Sequence, residues 1–428
     1  MAAKIQLNFG KIGTFGGIFS TIDAFRKAGL SNLIDNTLGN KGINTKYTYS
    51  NIVENLMSTY LCGGECIEDC NLFRTERYQR NPDYRFASAD TLLKTFQTLS
   101  VNNRTVSAES GKTYQFNVND KLNGLLLDSL LLCGLVKENA PVVFDYDNQF
   151  VAAEKYDAKY SYKKAFGYFP GIAQINLRPF YIENRDGNAQ VKLGQADTLK
   201  RAFGMLRDRG IKVDRARMDC GSYAKDVVEV AAASSRLFYI RANQCASLAA
   251  RLEEIPEEGW TECEINFQRC QLASLPFTAF LAEEGYRLVA QRTLVTDPQS
   301  TLFDSYVYRC ILTNDTDSSE REVVEFYNER GRSERTFDMM NNDFGWKHLP
   351  CSFMRQNTVF MILMALIGNF FAFLVRRVAE FGNFGIEATS RAKRFLFNFI
   401  QVPFRWTHSG RRWLLQIYSD RPYDKLRL

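Results

Sequence analysis

The chain has 428 residues, 45% of them apolar and 24% charged, with 10 prolines and 27 glycines spread along it. That make-up belongs to a globular protein of about two or three domains and excludes disordered, collagen-like and low-complexity classes. The formal charge is +6, and His348 and His408 are the only histidines, so His-cluster sites and His-based triads have few candidates and any chemistry falls to carboxylates.

Residues 1–19 carry glycines and a polar mix where the apolar stretch of an export signal would stand. The ten scattered cysteines therefore read as thiols of a reduced, cytoplasmic chain. The next residues read as helices over 20–28, 31–37, 50–61 and, after Gly63-Gly64, 66–72. Cys62, Cys66 and Cys70 share one helical face, but no histidine or CxxC pair lies near them, and small buried side chains account for the spacing. Ser88 reads as the N-cap of a helix striped by Leu92, Phe96 and Leu99. A polar stretch, 102–120, marks a boundary that closes a helical region 1–120, and 122–136 is a strongly apolar helix.

The texture changes at Pro141. Residues 142–147 form a β-branched and aromatic run ending in acids, 171–177 is extended, and Asp186-Gly187 signals a hairpin turn with 190–193 returning. A helix over 197–209 closed by Gly210, a strand 211–219, a helix 224–233 and a strand 237–240 follow. This order predicts a mixed sheet with helices on its faces over 121–245. Residues 246–315 read as a β-rich insertion, with extended runs at 260–268, 275–282, 286–295 and 306–313. Helix returns over 321–342, within a second part of the core at 316–380. The eighteen mostly apolar residues 358–375 reach the lower limit for a membrane span, while Asn369 and the single occurrence favour a helix buried in the protein and no membrane. From Arg376 onward eleven Lys and Arg face four acids. In the basic tail, 381–428, they alternate with Phe395, Phe399, Phe404, Trp406 and Trp413, which reads either as a polyanion-binding footprint or as a solvated amphipathic segment.

Open sheets present ligands at the carboxyl ends of their strands. Asp147 and Asp219 end two predicted strands, and neighbouring strands would bring them to one rim. Two adjacent carboxylates repel, and a divalent hard cation is the usual compensation. A third acid is then needed from a helix beside the sheet. Taken singly, each of these acids reads as a cap or a solvated residue. Lys155, Lys159, Lys163 and Lys164, interleaved with Tyr156, Tyr160 and Tyr162, read either as a DNA contact or as a solvated loop.

The run Tyr327-Asn328-Glu329-Arg330-Gly331-Arg332-Ser333-Glu334 matches the Tyr-x2-Arg-x3-Glu signature of the Asp-Asp-Glu (DDE) transposases encoded by bacterial insertion sequences. Asp219-Cys220-Gly221-Ser222-Tyr223 resembles the small-residue turn after that family's second Asp. The resemblance extends over nearly the whole chain. It implies an α/β fold: a ribonuclease H-like mixed-sheet catalytic core, a helical N-terminal DNA-binding region and a β-rich insertion before the Glu helix. Carried over by position, Asp219 is the second acid and Glu334 the third, with Tyr327 and Arg330 orienting Glu334 and meeting a terminal phosphate. The first acid is Asp147, with Asp145 as the alternative, because Asn148-Gln149 replaces the family's small residue and Thr. The family's Lys seven positions after the Glu is Asn341 here, with Lys347 as a substitute.

The resemblance further implies two Mg²⁺ ions, or Mn²⁺, held by Asp147, Asp219 and Glu334. It implies cleavage at insertion-sequence ends and strand transfer into target DNA. The partners would be double-stranded DNA, both terminal inverted repeats and target, and a second copy in a homodimeric synaptic complex. Lys163, Lys164, Arg411 and Arg412 join Tyr327, Arg330 and Lys347 as DNA contacts, and the setting is the bacterial cytoplasm at the nucleoid. The alternatives are a non-catalytic DNA-binding protein derived from a transposase, or a related metal-dependent nuclease that cuts without joining.

Overall fold

The computed structural model describes residues 10–42, 45–294 and 306–426. Residues 1–9 of the N-terminal reading and Val295 of a predicted strand lie outside the described residues. In chain order the strands are β1 (Arg104–Ser107), β2 (Thr113–Val118), β3 (Val142–Asn148), β4 (Val151–Ala152), β5 (Lys159–Tyr160), β6 (Phe166–Tyr168), β7 (Gly171–Ile175) and β8 (Arg178–Arg185). They continue with β9 (Val213–Met218), β10 (Leu237–Arg241), β11 (Thr261–Ile265), β12 (Gln268–Pro276), β13 (Arg287–Leu294), β14 (Tyr306–Thr313), β15 (Phe404–Ser409) and β16 (Arg412–Ile417).

Eleven of them make one sheet in the order β1-β2-β8-β7-β3-β9-β10-β14-β13-β12-β11. Its centre is β3, antiparallel to β7 on one side and parallel to β9 on the other, with β8 antiparallel to β7 and β10 parallel to β9. This is the ribonuclease H-like arrangement. The central strands are buried on both faces, which is why they read as nearly continuous apolar runs. Along β7, Ala173 and Ile175 face a core that includes Phe144, Leu199, Phe203 and Val227, from under the helices Gln195–Arg207 and Lys225–Ser234. Ile172, one residue before Ala173 and so on the other face, meets the core shared with the N-terminal helices and the long helix Met354–Phe381.

That long helix has 28 residues and is apolar enough to cross a membrane, yet its apolar stretch is mostly buried inside the protein, against the sheet and the N-terminal helices. Asn369, the polar interruption in its sequence, donates from Nδ2 to the Pro179 carbonyl at 2.8 Å, so a buried amide ties helix to sheet. Cys62 and Cys70 are buried among apolar side chains.

Several elements differ from the sequence reading. The polar stretch 102–120 is the sheet's edge: β1 pairs with β2, and β2 with β8. The hairpin between β7 and β8 turns at Asn176-Leu177, with φ of 48° and 63°, so the turn lies ahead of Asp186-Gly187 and residues 190–193 form no strand. A leucine in the left-handed region gives no sequence signal, because glycine is the residue expected there. The β-rich 246–315 segment opens with a helix, Ala246–Glu253, and its strands continue the main sheet beyond β10. The basic segment 381–428 is folded: β15 and β16 pair as a hairpin, and Gly13 bridges to Phe404. The rings of Phe404 and Trp406 meet Phe19 edge-on at 4.9 and 5.0 Å. Gly17 backs onto the same segment so closely that a Cβ would stand 2.0 Å from the Phe399 carbonyl oxygen. Much of this segment's aromatic content is therefore core, and Arg411 and Arg412 remain exposed at the hairpin turn.

Candidate active site

The parallel register of β3 and β9 sets Asp145 beside Arg217 and Tyr146 beside Met218. One residue further stand Asp147, near the end of the pairing of β3 with β7, and Asp219, just past the end of β9, both at the carboxyl ends of their strands. Alternation puts Asp145 and Asp147 on one face, with Arg217 and Asp219 opposite them. Arg217 donates to both Asp145 oxygens, at 2.8 and 2.9 Å, and both side chains are buried. Asp145, the alternative first acid, is thus consumed by an ion pair beneath the rim, and Asp147 is the acid at it. Asp219 caps the short turn Cys220–Ser222, its Oδ1 accepting from the Gly221 N–H at 3.0 Å. The small residues after Asp219 serve this turn.

The helix beside the sheet starts at a capping box of Ser319 and Glu322 and runs Glu320–Asn328. A 3₁₀ turn, Glu329–Gly331, then interrupts what the sequence predicts as one helix, and Arg332–Asn342 follows. Two hydrogen bonds staple the first helix to β9: Arg217 Nη1 donates to the Phe326 carbonyl at 2.8 Å, and the Tyr327 hydroxyl donates to the Met218 carbonyl at 3.1 Å. The guanidinium groups of Arg215 and Arg217 also lie 4.7 Å from the Phe326 ring centre. Tyr327 therefore anchors the helix through the residue just before Asp219. Arg330, in the turn, reaches Asp147 Oδ2 at 2.7 Å. Glu334 follows in the first turn of the next helix with its side chain exposed, and Thr336 of that helix donates to the Leu177 carbonyl at 3.2 Å.

Burial opposes the charge of Asp147, Arg330 supports it, and the carboxylates of Asp219 and Glu334 oppose it, so its carboxyl is pushed up from 3.8 to about 6. Asp219 and Glu334 thus act on Asp147 across the rim. A folded-state value above the unfolded one means that protonation favours the fold. The contribution is whole below pH 4 and is lost as pH rises through about 6. In metal-free protein, carboxyl ¹³C NMR is expected to show one group titrating near pH 6 that vanishes in Asp147→Asn. The same variant should flatten the decline in stability between pH 4 and 6, and a wild-type profile already flat there would count against this environment.

Asp147, Asp219 and Glu334 offer only oxygen donors, the set that Mg²⁺ and Mn²⁺ take. Among the described residues no three His, Cys, Asp or Glu side chains stand close enough to hold a metal ion. The cation at Asp147 is Arg330. Of the other predicted contacts, Lys163 lines a cleft together with Asp219, and Lys164 sits in the same turn with φ 58°. Lys347 is exposed on the turn after Trp346, and Arg411 and Arg412 belong to the β15–β16 hairpin. Sequence reasoning missed Arg217. Its one signal was position: it stands two places before Asp219 as Asp145 stands two before Asp147.

A family model described as transposase DDE domain, group 1, matches residues 2–427. No curated protein matches the chain. Among solved structures, a cryo-EM synaptic complex of piggyBac transposase with hairpin DNA is similar over 90% of this chain and 79% of that one, at 11% identity and a TM-score of 0.44.

Proposed function

The chain belongs to the transposases with a group 1 DDE domain, and from that premise we propose that Asp147, Asp219 and Glu334 hold divalent metal for cleavage of DNA at an insertion sequence's ends and for strand transfer into target DNA. The observation that carries this reading is the β3–β9 register, which pairs Tyr146 with Met218, the residues just before Asp147 and Asp219, with Arg330 and Glu334 following the stapled helix in the next turn and helix. Bound Mg²⁺, two ions in the family's chemistry, supplies charge stabilisation at the scissile phosphate and lowers the pKa of the attacking hydroxyl. The chain's own residues position the reaction. Asp147 sits in β3 and Asp219 directly after β9, two paired strands that cannot splay without breaking the sheet, which suits an in-line displacement governed by orientation and electrostatics.

Arg330 has two roles in this account. Without metal it neutralises Asp147. With DNA and metal present, its guanidinium would take a phosphate in bidentate fashion and Asp147 would be left to hold the metal. Lys163 adds a second phosphate contact beside Asp219. Both terminal inverted repeats must be held together, so the working form is a homodimer, acting on DNA in the bacterial cytoplasm. Arg411 and Arg412 add salt-sensitive phosphate contacts away from the acids.

The test uses labelled duplexes bearing the element's terminal repeats. Mg²⁺-dependent nicking at the repeat boundary, followed by joining of pre-cut ends to a target plasmid, is the expected result. Nicking without joining would leave a nuclease, and binding without nicking in either Mg²⁺ or Mn²⁺ would leave a non-catalytic DNA-binding protein.

A further inference from the structure

β11 and β12 are joined by a two-residue turn, Asn266-Phe267, with φ of 51° and 62°, the left-handed pair that a tight hairpin takes. The turn fixes the register: Ile265 stands opposite Gln268 and, two steps further in, Cys263 stands opposite Cys270. The two sulfurs lie 3.3 Å apart. β11 is the last strand of the eleven-stranded sheet, while β12 is held on its other side by β13. One cysteine therefore sits on a strand with room to adjust and the other on a strand fixed from both sides.

Cys270 is 5% exposed and belongs to the core made by Leu272, Val289 and, from the helix Glu320–Asn328, Val323 and Val324. Cys263 is half-buried. A cleft of about 370 Å³ is lined by both, together with Arg269, Arg292 and Tyr306, so a small reagent meets Cys263 first with Cys270 behind it. Burial pushes the Cys263 thiol up to about 11, and the hydrogen bond and charge of Cys270 push the same way, with Arg321 opposing and Glu325 adding to the rise. Cys263 thus keeps its proton at neutral pH and reacts slowly. Opposed Cβ atoms of an antiparallel pair lie about 4.5–5.5 Å apart and those of a disulfide about 3.5–4.5 Å, so joining the sulfurs asks for a shift of about an ångström. Burial of a small side chain accounts for one cysteine here, but not for two in register with their sulfurs in contact.

We propose that Cys263 and Cys270 form a dithiol site whose co-reactant is a low-molecular-weight disulfide, and that the site closes into a cross-strand disulfide. The Cys263 thiolate attacks one sulfur of the small disulfide, forming a mixed disulfide and releasing one thiol. Cys270 then attacks the Cys263 sulfur, forming the cross-strand bond and releasing the second thiol. The two cysteine protons end on the two released thiols; the protein pair loses two electrons and the small disulfide gains them. Excess small thiol runs the sequence backwards. Closure ties the sheet's last strand to its neighbour against the helix that carries Tyr327, and it fixes a hairpin whose tip, Asn266, lines another cleft with Arg332 and Arg335.

The test equilibrates the reduced full-length protein with mixtures of reduced and oxidised glutathione, quenches with acid, alkylates the remaining thiols and digests with trypsin without reduction. Cleavage after Arg251, Arg269 and Arg287 puts Cys263 on residues 252–269 and Cys270 on residues 270–287, so the closed site appears in mass spectra as these two peptides linked. The linked pair is expected as the main oxidised form of both cysteines and should be absent in Cys263→Ser. The glutathione ratio at half-oxidation should show closure favoured about tenfold or more in the folded protein over the protein in urea, because a disulfide that fits the fold stabilises it by the same factor. Folded protein that returns both cysteines on separate peptides, or that closes no more readily than the chain in urea, would overturn the proposal. Nicking is not read, so either result is independent of the metal assignment at the rim.

Discussion

Glu334→Gln is expected to lower Mg²⁺-dependent nicking of a terminal-repeat duplex by about 10³-fold, the scale seen when one pre-organised charge-stabilising group is lost. The substitution changes almost no volume, and the side chain is exposed at the start of its helix, so folding should be untouched. It removes one of the two charges that push Asp147 upward, the other being that of Asp219. If Glu334 were an ordinary surface residue, its loss would be silent. Affinity for uncut DNA should stay within about twofold, because phosphate contacts come from Lys and Arg and not from an acid. Asp219→Asn should match it in nicking, since both acids belong to the proposed metal site. Full cleavage by Glu334→Gln would remove the third acid from the account.

Arg217→Ala should cost about 3–5 kcal/mol of stability, the usual result of leaving one partner of a buried ion pair uncompensated. Asp145 would lose both of its hydrogen bonds from Arg217, and the Phe326 carbonyl would lose its donor. Two consequences follow that differ in kind. The sheet is strained by a buried charge, and the helix leading to Arg330 and Glu334 keeps only the Tyr327 hydroxyl bond as its staple to β9. Urea unfolding reads the first. Nicking per folded molecule reads the second and should fall although no acid of the rim has been changed. The double variant Asp145→Leu with Arg217→Met removes the orphaned charge and should recover most of the stability, yet little of the nicking. Recovery of both would mean that Arg217 has no part in positioning the helix.

These two residues show where sequence reading reaches and where it stops. Asp147 was legible because it closes a short apolar run, which announces a buried strand, and Asp219 because it ends a predicted strand just before a small-residue turn. Glu334 was legible through its spacing from Tyr327 and Arg330, a local pattern. Arg217 was not, because its partners Asp145 and Phe326 are 72 and 109 residues away, and only the register of β3 on β9 makes them neighbours. The edge strands β1 and β2 escaped notice for a different reason: an edge is half solvated, so its polar side chains mimic a linker. Likewise, charge in the segment after Arg376 drew attention to binding, while the packing of Phe404 and Trp406 on Phe19 is decided by the distant N-terminal helix.

The central claim is that Asp147, Asp219 and Glu334 hold divalent metal at the rim of the sheet. Electron paramagnetic resonance titration of Mn²⁺ into the protein bound to a terminal-repeat duplex tests it without relying on turnover. The account predicts Mn²⁺ uptake at the family's two-ion stoichiometry, lost in Asp147→Asn and in Asp219→Asn. Unchanged uptake in both variants would contradict it.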